Sequence, residues 1–314
     1  MLSLQKKYFY SKINFIVLFL IAAISFTGKS SIAQNINPSS NKKSDFISQD
    51  EKEFAKIKQL KVKTRLKYSV YYDIKGYMND KKILMKREAF NKRGLLSEIV
   101  EYNSMGDVTS SYKFYYDAKG NPKKAQGVDD NGNSNTQTSK YDSRGNEIER
   151  DLISIGRKRT ESKSLFKYDK ENNLIEVKNY SNSKLEDQQY YEYKNGIRTK
   201  TTILNDKGDT ALVSIPEYNS SGKLISEKST NQNIVYKYDP KGNLSEMTDA
   251  ETKRTYVSDD KGNVIEHKMF LTDGRRQIRL VFKYNQKGLQ SDWIRYDNNE
   301  DIVLHFAYEY EYYK

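Results

Sequence analysis

One short unit recurs along this chain and limits what it can fold into: an aromatic residue, Asp or Asn, two variable residues, then Gly. It occurs as Tyr72-Asp73 with Gly76, Phe90-Asn91 with Gly94, Tyr102-Asn103 with Gly106, and Tyr116-Asp117 with Gly120. It returns as Tyr141-Asp142 with Gly145, Tyr218-Asn219 with Gly222, Tyr238-Asp239 with Gly242, and Tyr284-Asn285 with Gly288. Tyr168-Asp169 carries Asn172 in place of Gly, and Asn also tolerates a positive φ. Tyr193 with Gly196 and Asp259 with Gly262 are partial copies, and Tyr296-Asp297 leads into a decayed turn.

The chemistry of the unit is a turn. Asp or Asn at the first position favours a type I turn, and Gly three residues later suits the left-handed position of a G1 bulge. The count across the turn predicts Tyr238 opposite Leu244 and Tyr168 opposite Leu174. The flanks alternate as strands do. Tyr112, Phe114 and Tyr116 share one face, as do Leu280, Phe282 and Tyr284, with Lys113, Lys167, Lys237 and Lys283 on the other. Turn glycines from Gly94 to Gly145 lie 12, 14, 12 and 13 residues apart, which suits strands of ordinary length. Longer gaps hide less regular turns at Ser229–Asn233 and Asp249–Thr252. The expected fold is all-β: a twisted or coiled antiparallel meander of roughly 18 to 20 strands, single-sheet or partly closed, with a short N-terminal capping helix.

Residues 66–314 resemble the YD-repeat (RHS-type) family, most closely at Tyr236-x-Tyr238-Asp239-x-x-Gly242-Asn243-Leu244-x-Glu246. Tyr193-x-Asn195-Gly196 is similar to hairpin repeats of the MORN-variant type. The first resemblance implies a β-shell, which in large members encases a C-terminal toxin. This chain departs from them: it is short, and no Asp-Pro-x-Gly-Leu motif or toxin tail is recognisable.

Composition agrees with a sheet rather than an oily core. Tyr is far commoner than Phe (26 against 12), and its ring can pack while its hydroxyl stays wet. The chain has no cysteine, which excludes disulfides, a thiolate nucleophile and thiolate-bound metals. The N-terminus reads as an export signal over 1–33. Lys6, Lys7 and Lys12 precede an apolar run from Ile13 to Phe26, and Ser31-Ile32-Ala33 fits cleavage before Gln34. The pattern resembles Bacteroidota signals. Cleavage removes four lysines and leaves the mature chain near +8, from +12. Residues 34–65 hold a linker and one helix over about 49–60, begun by Ser48 and Glu51 as a capping box and expected to cover the first sheet edge.

No residue pattern points to catalysis. His267 and His305 sit in strand-like runs without a nucleophile or zinc motif beside them. Glu98, Glu149, Glu176, Glu246 and Glu266 recur in step with the repeat, which suits cross-strand partners of Lys or Tyr better than a glycosidase pair. Asp129-Asp130-Asn131-Gly132-Asn133-Ser134-Asn135 has the composition of a calcium loop but not EF-hand spacing, and reads as a hairpin tip; Arg157-Lys158-Arg159 reads as another. No cofactor is implied. The expected role is an exported, non-catalytic binding module of the periplasm, outer membrane or cell surface. Its ligand would be a carbohydrate, acidic glycans suiting the basic balance, or an envelope protein. The alternatives are an assembly scaffold and a remnant toxin shell. Nucleic acid is not expected as a partner, no membrane span is expected after cleavage, and an open sheet edge would offer a place for a partner strand.

Overall fold

The computed structural model describes residues 49–72 and 78–314, and side chains over 51–72 and 81–314. The export signal, the linker, Ser48 and the Asp73–Gly76 turn lie outside the described residues.

One helix, α1 (Gln49–Gln59), precedes twenty strands. In order they are β1 (Val62–Tyr72), β2 (Met78–Phe90), β3 (Leu96–Tyr102), β4 (Val108–Tyr116), β5 (Pro122–Asp129), β6 (Ser134–Tyr141), β7 (Glu147–Ile155), β8 (Arg159–Tyr168), β9 (Leu174–Ser181) and β10 (Lys184–Lys194). Then follow β11 (Ile197–Asn205), β12 (Thr210–Tyr218), β13 (Leu224–Ser229), β14 (Asn233–Tyr238), β15 (Leu244–Thr248), β16 (Thr252–Ser258), β17 (Val264–Leu271), β18 (Arg276–Tyr284), β19 (Gln290–Tyr296) and β20 (Ile302–Tyr312). Each strand pairs antiparallel with the next, through the expected registers Tyr238↔Leu244 and Tyr168↔Leu174. The irregular turns fall where the long gaps placed them, closed by Ser229 N–H donating to Gln232 O and Asp249 N–H to Thr252 O.

The expectation of a single or partly closed sheet is corrected at the seam. β20 pairs antiparallel with β1, from Thr64↔Glu311 through Arg65↔Tyr310 to Ser69↔Phe306, so the meander closes into a barrel. The reason is cumulative. A bulge at each repeat turn adds right-handed twist and bend, and a wall that bends steadily brings its last strand to its first. Closure satisfies both edge rows of backbone groups. It also takes up the edge on which a partner strand would have paired.

The two faces of the wall differ. By register, Ser110, Tyr112, Ala125, Gln137, Ser139, Phe166, Val177, Tyr191, Ser214, Tyr236 and Met247 share one face, and all are buried. Lys113, Gln126, Thr138, Lys140, Lys167 and Lys237 share the other, and all are exposed. Curvature crowds side chains on the concave side and splays them on the convex side, so the buried face is the inner one. Tyr112 shows how tight the inner face is. Its ring lies over Gly127 on the adjacent strand, where a Cβ would come 2.2 Å from the ring.

α1 docks on this inner face, not over an edge, because no edge is left for it. Ile57 is fully buried, and Phe54 meets Phe90 edge-on at 6.3 Å. The Glu53 carboxylate accepts the Tyr310 hydroxyl at 2.8 Å and faces Arg65. Lys52 Nζ donates to Gly262 O at 2.8 Å and Lys56 Nζ to Gly288 O at 2.7 Å, tying the helix to two turns. Lys61, at φ +53°, ends the helix in the left-handed region.

Gly127→Ala is expected to lower unfolding free energy by about 1–3 kcal/mol, as overpacking does. Urea denaturation checks this, and the double change with Tyr112→Leu should recover part of the loss.

Candidate functional site

The repeat signature builds architecture. In the turn after β4, Gly120 N–H donates to Asp117 O at 3.1 Å, and Gly120 takes φ +94°. Asp117 Oδ1 accepts Asn121 N–H at 2.8 Å, and Oδ2 accepts Asn121 Nδ2 at 2.9 Å. The same double pin joins Asp142 to Asn146, Asp169 to Asn173, Asp239 to Asn243 and Asp259 to Asn263. Backbone and side-chain donors of Asn121 hold the Asp117 carboxyl below its usual range. Gly145, Gly242 and Gly288 occupy the same left-handed position as Gly120, and Asn172 does so at φ +66°. The turn Tyr donates back to a neighbouring strand: Tyr116 to Leu96 O at 2.6 Å, Tyr141 to Pro122 O at 2.7 Å, Tyr168 to Glu147 O at 3.0 Å, Tyr238 to Leu224 O at 2.8 Å and Tyr284 to Val264 O at 2.8 Å. The Asp129–Asn135 segment follows the same plan. Asp129 spends its carboxylate on Asn131 and Asn133, and among the described residues no group of three or more His, Asp or Glu could hold a metal ion.

The recurring glutamates point outward and pair across strands. Glu149 takes Lys140 at 2.9 Å and Lys163 at 3.1 Å, and these two bring its carboxyl down to about 2. Glu246 lies between Lys237 and Lys253, each at 2.7 Å. Glu176 pairs with Lys167 and Lys178, Glu266 with Lys268 and Arg279, and Glu98 with Arg87. The outer wall is therefore a lattice of opposite charges, and each of these carboxylates is neutralised by a cation.

Three clusters escaped sequence reasoning, because register alone assembles them. The first lies across the closing seam. The Tyr72 hydroxyl is 2.6 Å from His305 Nδ1, His305 Nε2 is 2.7 Å from Asp292 Oδ1, and Ser291 Oγ donates to Asp292 Oδ2 at 2.8 Å. His305 is thus packed, as a strand histidine should be, but inside a relay that joins β1, β20 and β19. The hydrogen bond from His305 lowers the Asp292 carboxyl, while burial raises the Tyr72 hydroxyl. The hydrogen bonds of the relay tie β1, β20 and β19 together at the seam. His267, by contrast, stacks flat on Tyr256 at 4.8 Å, and burial lowers its pKa.

The second cluster is a polar knot on the inner wall. Glu227 Oε1 accepts Ser214 Oγ at 2.6 Å and Arg198 Nη2 at 3.1 Å. Nearby Arg198 Nε, Thr201 Oγ1 and Tyr236 OH are buried without hydrogen-bond partners.

The third cluster is a charge imbalance between the two rims. The turns after even-numbered strands carry Lys92, Arg93, Lys119, Arg144, Lys170, Lys241, Lys261 and Lys287. Lys52, Lys56, Lys58 and Lys61 of and after α1 join them. Against these stand Glu171, Asp260 and the pinned turn aspartates. The described turns of the far rim mix signs, with Asp107, Asp130, Asp206, Glu251, Asp273 and Asp301 facing Arg157, Lys158, Lys207 and Arg275. On the basic rim, beside the end of α1, a cleft of about 530 Å³ is lined by Lys58, Lys61, Lys92, Arg93, Lys119, Gln59, Leu95 and Gly120. No carboxylate lines it. It is open, concave and charged.

No protein-family model matches the chain, and no curated protein matches it. Among solved structures it is similar to TcdB2-TccC3-TEV, with 11% identity over 78% of this chain and a TM-score of 0.30; the match spans 16% of that chain. It is also similar to a porin-like protein from Bacteroides uniformis, with 14% identity over 80% of this chain and 97% of the other and a TM-score of 0.34. A porin-like protein from Bacteroides vulgatus gives 7% identity over 80% and 99%, with a TM-score of 0.31. Identity and TM-score are low throughout, so the functional reading rests on this chain's own residues.

The turn tyrosines make alkaline pH a test of the architecture. Burial pushes Tyr116 up to about 12, and burial with Glu147 does the same for Tyr141. Folded-state values above the unfolded value of about 10 mean the stabilisation is complete below pH 10 and is lost as pH rises towards 12. Tyrosinate absorbance and chemical denaturation across that window are expected to show ionisation and loss of stability together. Tyr116→Phe should flatten the decline while lowering stability at neutral pH.

Proposed function

We propose that this chain is an exported, non-catalytic β-barrel that stands in water and serves the cell envelope as a binding module, with carbohydrate as its ligand class. The observation that carries the reading is the outward lattice of opposite charges, which runs from the turn ends of the strands to mid-strand, where Lys163 pairs with Asp151 and Arg279 with Glu266. A barrel that spans a bilayer turns an apolar band about 25 Å tall towards the lipid, and each Lys or Arg at the midplane costs about 2–4 kcal/mol. Here the middle of the outward face carries Lys113, Asp151, Lys163, Lys178, Lys268 and Arg279. Such a wall is at home in water and leaves both rims free to meet partners. The export reading rests on the Lys6–Ala33 pattern.

Internal pairing supports the non-catalytic half of the reading. The outward carboxylates are held by lysines and arginines, and the seam histidine lies between Asp292 and a raised Tyr72. A second reading, a scaffold for another envelope protein, draws on the same broad and stable outer wall.

The test is purification of the mature chain, from Gln34, without detergent, followed by binding to a glycan array and to isolated envelope material. The expected result is a water-soluble monodisperse protein retained by envelope polysaccharide. A requirement for detergent would overturn the water-facing barrel. Solubility with retention only on envelope protein would move the reading to the scaffold.

A further inference from the structure

We infer that the cleft beside the C-terminal end of α1 is a binding site for an anionic oligosaccharide, gripped through its carboxylates. The inference rests on the envelope-binding reading above and gives that reading a site and a ligand charge.

Charge is the first argument. Lys58, Lys61, Lys92, Arg93 and Lys119 line one concavity, and none of them forms a described ion pair with a carboxylate. Elsewhere on the wall, lysines of the repeat sit against glutamates. Five like charges left together repel one another, and they lower the free energy of any anion that enters between them. The dipole of α1 adds a negative end here, which accommodates Lys58 and Lys61 but leaves a net positive cleft.

Preorganisation is the second argument. Arg93 is held flat against the neighbouring turn: Nη1 donates to Asp117 O at 3.3 Å and Nη2 to Ala118 O at 3.2 Å. The bare Cα of Gly120 makes room for it, since a Cβ there would lie 2.7 Å from Nη2. Lys119 is tethered to Ser143 O at 3.1 Å. Two cations are therefore fixed by backbone carbonyls, while Lys58, Lys61 and Lys92 are exposed and can close on a ligand. Gly94 is the tight point that fixes the helix wall. A Cβ on it would meet Lys58 Cα at 2.7 Å, so helix and turn form one rigid corner.

Shape chooses among anions. A flat lipid surface would engage the whole rim equally, whereas Lys58, Lys61, Lys92, Arg93 and Lys119 line one concavity. Leu95 and Gln59 add an apolar patch and an amide, which suit the face and hydroxyls of a sugar ring better than a bare phosphate.

The experiment titrates the mature chain with three probes: a galacturonate trimer, its neutral galactose counterpart, and vesicles of phosphatidylglycerol. The expected result is binding of the uronate trimer that weakens steeply with salt, with at least tenfold weaker binding of the neutral trimer. Lys58→Gln with Lys92→Gln should reduce uronate binding at least tenfold at unchanged Tm. Lys158→Gln with Lys207→Gln, on the far rim, should leave it unchanged. Preference for vesicles over the trimer would replace this inference with a membrane-facing rim. Equal loss in both double variants, or binding of envelope glycan that ignores Lys58 and Lys92, would overturn the site and leave the binding-module reading standing. Failure to bind any probe together with failure to be retained by envelope material would remove both.

Discussion

Twenty strands joined end to end carry two rows of unpaired backbone groups, one on the first strand and one on the last, and the rest of this structure depends on those rows meeting. Their pairing from Thr64↔Glu311 to Ser69↔Phe306 removes both edges at once. It also defines an inside. Only after closure do Tyr112, Phe166 and Tyr236 share a concave face with a helix lying on it. Side chains reinforce the seam: the Tyr72–His305–Asp292 relay outside, and Arg65 with Glu88 inside. Burial opposes ionisation there, yet Arg65 holds the Glu88 carboxyl below its usual range. The Tyr313 hydroxyl adds a bond to Phe90 O at 2.6 Å.

Local chemistry makes closure reachable. The repeat turns satisfy much of their own backbone, with Gly or Asn in the left-handed position and, in turns such as those at Asp117, Asp142 and Asp239, an Asp–Asn double pin beneath it. Each turn tyrosine then reports on the adjacent strand by donating to its carbonyl, as Tyr116 does to Leu96 and Tyr284 to Val264. Repeat stability of this kind is a sum of unit and neighbour terms. The seam adds one further neighbour term, with a long loop-closure cost behind it.

The sorting of charge follows from the same geometry. Strand alternation sends Lys and Glu of the repeat to one face, where antiparallel register sets them opposite each other. Turn alternation does something different: it gathers the tips of every second hairpin on one rim. Lys92, Arg93, Lys119, Arg144, Lys241 and Lys287 are far apart in the chain and share that rim only because hairpins reverse direction twice per repeat. Lysines such as Lys140, Lys167 and Lys237 on the wall pair with glutamates; on the rim Lys241 pairs with Asp260, while Arg93 and Lys119 bind turn carbonyls.

By itself, the sequence determined what depends on near neighbours. The Asp-x-x-Gly turns, the strand count, the registers Tyr168↔Leu174 and Tyr238↔Leu244, the pairing of repeat glutamates with lysines and a helix near 49–60 are all set by spacing and by φ preferences acting over a few residues. The tertiary structure decided what depends on summed curvature. No local pattern encodes whether small bends at each turn add up to a closed ring, so from sequence the sheet reads as single or partly closed. The place of α1 on the inner face, the Tyr72–His305–Asp292 clamp and the basic cleft stayed hidden for the same reason. Their members come from β1, β19 and β20, or from α1 and two separate turns, and only the closed wall brings them within reach of one another.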